Sequence, residues 1–156
     1  MTTLAKNITH NRYSGLFQRL LASASLIFFI TGCTTLVPSM SLYEELGEKQ
    51  GITTLVDRFI EEIAADERIV NHFRETNAER FRSKLIEQFC VLSSGPCEYT
   101  GKSMLVIHGG LNISEADFNA LVEDLISAME QQALKTSTQN KLLKQLAPLR
   151  AQIIYQ

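Results

Sequence analysis

SEADFNALVEDLISAM, residues 114–129, carries Phe118, Leu121, Val122, Leu125, Ile126 and Met129 at steps of one, three and four, with acids and small or polar residues between them. That recurrence is the apolar face of an amphipathic helix, not the two-residue alternation of a strand. Its start is marked too: Ser114 stands three residues before Asp117, the spacing at which a hydroxyl and a carboxylate cap each other's backbone N–H. By the same rule Leu55, Val56, Phe59, Ile60 and Ile63 give an earlier helix, and Phe81, Leu85, Phe89 and Leu92 give another. Thr76 and Glu79 have capping-box spacing just before that one. Leu142, Leu146, Leu149 and Ile153 give a last helix, in which Pro148 predicts a kink or a late start. Ser93-Ser94-Gly95-Pro96 and Gly109-Gly110 are breaker clusters, and the stretch between them has room only for a short helix. The expected fold is an all-α bundle with glycine-broken connections.

The chain of 156 residues is 45% hydrophobic and 21% charged, an ordinary globular composition that predicts one domain. Its start differs from the rest. Lys6, Arg12 and Arg19 come with no acid among them, Leu20 to Ile30 is apolar apart from small residues, and Thr31-Gly32-Cys33 follows. The apolar run falls short of the roughly 20 residues that span a bilayer, so the order reads as a secretory leader over 1–32. An uncleaved N-terminal anchor is the other reading, and the small residues before Cys33 stand against it. Ile30-Thr31-Gly32-Cys33 resembles the lipobox of bacterial lipoproteins, which implies lipidation of Cys33, a tether over 33–40 and a domain over 41–156. The expected place is the cell envelope, anchored by lipid and facing the periplasm or exterior.

Loss of the leader removes three basic residues and no acidic ones, leaving 12 Lys and Arg against 17 Asp and Glu, a net charge of −5. Such a surface repels nucleic acid, and no basic patch offsets it. Three histidines are present: His10 in the leader, His72 in what reads as a loop, and His108 before the paired glycines. Met104 precedes His108 by one turn, and Val106, Ile107 and Leu111 surround it with apolar bulk. An imidazole in an apolar wall needs a hydrogen-bond partner or a metal. The sequence has no His/Cys cluster at zinc spacing, no nucleophile elbow and no phosphate-cradling glycine loop. A single histidine among apolar helices suits haem, whose iron takes one proximal protein ligand.

Five segments in order then carry a resemblance: SLYEELG (41–47), TNAERFR (76–82), GPCEYTGKSM (95–104), HGGLNI (108–113) and APLR (147–150). Over 41–154 the chain resembles the group 1 truncated haemoglobins. The resemblance implies a two-over-two helical sandwich around haem b, with His108 as the iron's proximal ligand and Phe73 packed on the ring. It implies that Ile60, Phe81 and Leu85 face the iron's open side, that Arg80, Lys84 and Tyr99 lie near the haem edge, and that Met104 and Phe118 form the pocket wall. Plain core packing for the apolar members, and a solvated face for Arg80 and Lys84, stay open beside those roles. Many members have tyrosine where this chain has Ile60 and glutamine where it has Leu85. The family's paired glycines are reduced here to Gly47 and to Ser94-Gly95.

Cys90 and Cys97 flank a turn-rich stretch. They read either as a disulfide or as a buried small residue and a free thiol, since separation in sequence does not establish the geometry. The leading functional expectation is a globin that takes a diatomic gas, with oxygen binding or nitric-oxide dioxygenase-like conversion as the family's activities and a reductant that the sequence does not identify. A haem-free interaction protein on the same fold is the alternative. A thiol redox protein lacks the close Cys-x-x-Cys spacing.

Overall fold

The structure, a computed structural model, describes residues 39–156. The leader over 1–32, Cys33 and most of the tether lie outside the described residues. Ser41 opens α1 (Leu42–Glu45) with a capping box: the Glu44 N–H donates to the Ser41 hydroxyl at 3.2 Å, and the Ser41 N–H donates to the Glu44 carboxylate at 2.7 Å. The chain then turns through Gly47, whose φ of +84° favours glycine, into α2 (Glu48–Ala65). Ile52, Leu55, Val56, Phe59 and Ile63 make its buried face. Residues 70–73 form a 3₁₀ turn, so His72 sits in a short helix and not in a loop.

Next comes α3 (Ala78–Leu92), and here the expected cap is displaced by one residue. Asn77 is the N-cap, its side-chain oxygen accepting from the Arg80 N–H at 2.8 Å, and the Thr76–Glu79 box does not form. The short amide reaches the free N–H groups of the first turn as well as a hydroxyl does. The five-residue α4 (Met104–His108) occupies the stretch between the breakers, and α5 (Glu115–Gln131) begins with both arms of the Ser114–Asp117 box. Finally, α6 (Thr136–Leu146) gives way to a 3₁₀ turn over Ala147–Gln152. Pro148 sits near the start of that turn, so the last helix neither kinks nor starts late. It ends before Leu149 and Ile153.

The fold is all-α, a two-over-two sandwich in which α2 packs along both α3 and α5 while α6 closes on α3 and α1. Phe59 and Phe89 stack across the α2–α3 seam with ring centroids 6.4 Å apart. At the far end of α3, Cys90 and Cys97 are joined by a disulfide with a Cα separation of 5.9 Å, which replaces the free-thiol alternative. Gly95 permits this closure, because a Cβ there would lie 2.6 Å from the Cys90 sulfur and 2.4 Å from the Tyr43 ring.

Candidate functional site

The face of α3 that α2 and α6 leave uncovered looks across a cleft at α4 and the first turns of α5. The cleft has an outer lobe of about 610 Å³ and an inner lobe of about 170 Å³, with His108, Phe73, Phe81 and Phe118 lining both. Phe73 and Phe81 tilt against each other at 5.3 Å between centroids, and Arg150 covers the Phe118 ring from 5.8 Å. Lys84 and Tyr99 line both lobes as well, Arg80 lines the outer one, and Leu85 and Met104 line the inner one. Nine of the ten residues expected at a haem pocket are therefore brought together around one space. Ile60 is not among the lining residues: it packs half-buried against the core, and its neighbour Phe59 reaches the inner lobe instead.

His108 is half-buried at the end of α4, and its Nδ1 lies 2.8 Å from the Met104 carbonyl oxygen. A carbonyl only accepts, so this contact places a proton on Nδ1, and in the neutral imidazole that leaves Nε2 as the nitrogen with the lone pair. Val106, Ile107 and Leu111, 61%, 44% and 45% exposed, line the outer lobe beside it. The expected apolar wall exists, and it faces open space.

The polar groups sit at the edges. Lys84 pairs with Glu87 at 2.7 Å and also donates to the Thr100 hydroxyl, while the Thr100 N–H donates to the Glu87 carboxylate at 2.9 Å. Lys84 and the Thr100 backbone hold the Glu87 carboxyl well below the usual carboxylate range. The ammonium is thus turned toward the connecting segment. Tyr99 donates to the Lys102 carbonyl at 3.0 Å, and burial pushes its phenol up. On the opposite rim His72 lies 3.5 Å from Asp117, whose carboxyl is lowered by its bonds from Ser114 and then by His72.

Sequence reasoning passed over Gln88, Lys102 and Leu121. Gln88 follows Phe81 and Leu85 on one helical face and points its amide at the Met104 sulfur at 3.5 Å, a recurrence visible in the sequence. Lys102 lies in irregular chain, where no period announces it.

A haem fits these residues. It is a flat apolar ring with anionic edge groups, and it needs one neutral imidazole nitrogen. The cleft offers a carbonyl-oriented histidine, exposed apolar side chains that a ring would cover, and Arg80 and Lys102 at the mouth.

Residues 41–155 match the family model described as bacterial-like globin. The group 1 truncated hemoglobin GlbN of Mycolicibacterium paratuberculosis is 29% identical over 113 residues, 72% of this chain and 83% of that protein. The group 1 truncated hemoglobin of Tetrahymena pyriformis is 27% identical over 104 residues, 67% and 86% of the two chains. The crystal structure of the Tetrahymena pyriformis protein in its Fe(III) form superposes with a TM-score of 0.72 at 25% identity, covering 75% of this chain and all of that one. A 2/2 hemoglobin from Synechococcus, solved with covalently attached heme, shares the fold with a TM-score of 0.69 at 20% identity, covering 74% and 98%.

Proposed function

The chain belongs to the bacterial-like globin family, haem proteins that bind gas ligands, and we propose that His108 would hold haem b in this cleft, where it would take oxygen or nitric oxide. Bound there, haem supplies an iron with one position open to a diatomic gas. The chain's own residues do the rest. The Met104 carbonyl orients His108. Phe73 and Phe118 would pack against the ring, and Phe81, Leu85 and Phe59 line the inner lobe with apolar groups that would disfavour water there. Arg80 and Lys102, which line the outer lobe, would pair with the haem's anionic groups. Lys84 and Tyr99 brace the connecting segment behind them. The observation that carries the reading is the Nδ1 contact of His108, because it prepares the other ring nitrogen for a metal.

Reconstitution of the soluble domain with haem tests this: a Soret band is expected, and in His108→Gly it is lost or restored by added imidazole. Iron coordination unchanged in His108→Gly overturns the assignment, and a domain that takes up no haem supports the haem-free alternative. The proposed role is gas binding; a nitric-oxide dioxygenase-like conversion at this site would consume oxygen together with nitric oxide and would need an external electron donor.

The proposed setting is the cell envelope, with Cys33 lipidated. The leader's basic, apolar and small-residue order supports it, as does the Cys90–Cys97 bridge, since disulfides persist in oxidising compartments. Labelling cells with a fatty-acid probe is expected to mark the wild type and not Cys33→Ala. Equal labelling of both places the anchor elsewhere.

A further inference from the structure

His108 closes a helix of five residues, and one turn of helix has too few internal hydrogen bonds to hold its own direction. Gly109 and Gly110 follow, and Gly110 lies at φ +82° with nothing within 4 Å of where a side chain would stand. Local sequence alone therefore gives the candidate iron ligand little restraint.

The restraint comes from the other end of the chain. Past the 3₁₀ turn over Ala147–Gln152, the backbone runs beside residues 110–113 as an isolated parallel pair, Ile113 against Ile154, and both side chains are buried. The Gly110 and Asn112 N–H groups donate to the Gln156 main-chain oxygen at 3.1 and 3.2 Å, and the Tyr155 N–H donates to the Ile113 carbonyl at 2.9 Å. The Gln156 side chain donates to the Ala151 and Ile154 carbonyls at 3.0 Å each, curling the tail back on itself. Tyr155 sits at φ +55° with its side chain exposed. A non-glycine residue adopts that backbone only where its surroundings impose it. No burial of the phenol explains it; the flanking backbone bonds do.

We propose that Ile153–Gln156 is a strap that sets the pose of the His108 loop, with Tyr155 and Gln156 as positioning residues for the iron ligand. The inference rests on His108 being that ligand. Tyr155→Pro removes the donor to Ile113 and forbids the positive φ, whereas Tyr155→Gly keeps the donor and relieves the conformation. Gln156→Glu keeps the backbone acceptor and removes the side-chain donor.

Amide hydrogen exchange on the haem-free chain reads the strap directly. Exchange at Gly110 and Asn112 is expected to rise tenfold or more in Tyr155→Pro, by less in Gln156→Glu, and to stay near wild type in Tyr155→Gly. In the reconstituted ferrous chain, Tyr155→Pro is expected to shift or broaden the iron–histidine stretching band in resonance Raman spectra and to release haem several-fold faster to an apoglobin acceptor. Unchanged exchange at Gly110 and Asn112 overturns the strap. A wild-type iron–histidine band that Tyr155→Pro leaves unmoved overturns its positioning role alone, and a wild type without that band overturns the reading of His108 and this inference with it.

Discussion

α2 and α4 are built from the same kinds of residue and end in opposite environments. Ile52, Leu55 and Val56 on α2 are wholly buried, while Leu105, Val106 and Ile107 on α4 stay 44 to 61% exposed. The difference lies in the neighbours. α3 and α5 flank α2 along its length, whereas α4 meets the terminal 3₁₀ turn on one side and the cleft on the other. Isolated exposed apolar residues are ordinary, but Val106 and Ile107 are adjacent and line the concave cleft, the mark of a surface that a ligand covers. One side of the molecule is completed by its own chain; the other is completed by what it binds.

The contrast is sharpest in a pair of truncations. Leu55→Ala, on the wholly buried face of α2, is expected to lower unfolding stability by about 2–5 kcal/mol, the usual cost of emptying a buried leucine site. Ile107→Ala on the cleft wall is expected to cost the haem-free protein less than about 1 kcal/mol and to speed haem release instead. Denaturant unfolding with and without haem measures both. Equal losses in the haem-free protein would erase the distinction between the two regions.

The disulfide ties the regions together, since it joins the core end of α3 to the segment that carries Tyr99 and Lys102 into the cleft. Closing so short a loop restricts the unfolded chain by about 2.5 kcal/mol on the chain-entropy account. Cys97→Ser is expected to lose about that much stability, read as a lower denaturant midpoint, and to loosen the cleft wall. The same midpoint with and without reductant in the wild type would mean that the bridge contributes nothing.

A smaller effect belongs to the self-completed side. Asp124 on α5 is 7% exposed, and one of its carboxylate oxygens has no partner. Burial first, and then the charge of Asp66, raises its pKa from 3.8 to about 6. Between those values the folded protein holds a proton that the unfolded chain has lost, so this group's contribution to stability falls as pH rises from about 4 to about 6. Asp124→Asn is expected to gain about 2 kcal/mol at pH 7 and nothing below pH 4. Asp57, Asp66 and Asp117 act in the opposite sense, because their lowered carboxyls lose stability as they protonate in acid. Thermal melts of wild type and Asp124→Asn from pH 4 to 8 check the sign. Parallel curves would show that Asp124 is ionised in the fold.

How legible each region was in the sequence follows the same divide. The helices announced themselves where packing is periodic: the 118–129 face and the Ser114 box of α5 were readable residue by residue. The cap of α3 was missed by one residue because Thr76 and Asn77 are both good caps, and local spacing does not choose between them. The last helix was overextended because Leu149 and Ile153 are apolar for another reason, lining the cleft from a 3₁₀ turn and the residue just past it. Individual site residues such as Phe73, in a 3₁₀ helix of only four residues, and Tyr99, in irregular chain, have no periodicity around them, and only the resemblance pointed to them. The tail's pairing with residues 110–113 is long-range and made by backbone groups, so no residue type signals it.

The smallest effect concerns the lining of the inner lobe, where the comparison between filled core and open cleft becomes a matter of one hydrogen bond. Oxygen held in a haem site is polarised, and a donor beside it slows its release. Phe59, Phe81 and Leu85 line this lobe and offer no donor. Of the nearby polar groups, Lys84 is engaged by Glu87 and Thr100 and Tyr99 by the Lys102 carbonyl, while Gln88 directs one of its two amide N–H groups at the Met104 sulfur. The wild type is therefore expected to release oxygen quickly. Leu85→Gln puts an amide on the same wall, and a net hydrogen bond of about 1 kcal/mol predicts release slower by several-fold, approaching tenfold at about 1.4 kcal/mol. Lys84→Ala is expected to leave the rate nearly unchanged, because its ammonium is held away by Glu87. Stopped-flow measurement of oxygen release from the three proteins decides the matter. Slow release in the wild type that turns fast in Lys84→Ala would show that Lys84 leaves Glu87 to bond the ligand, and that the inner lobe is not donor-free.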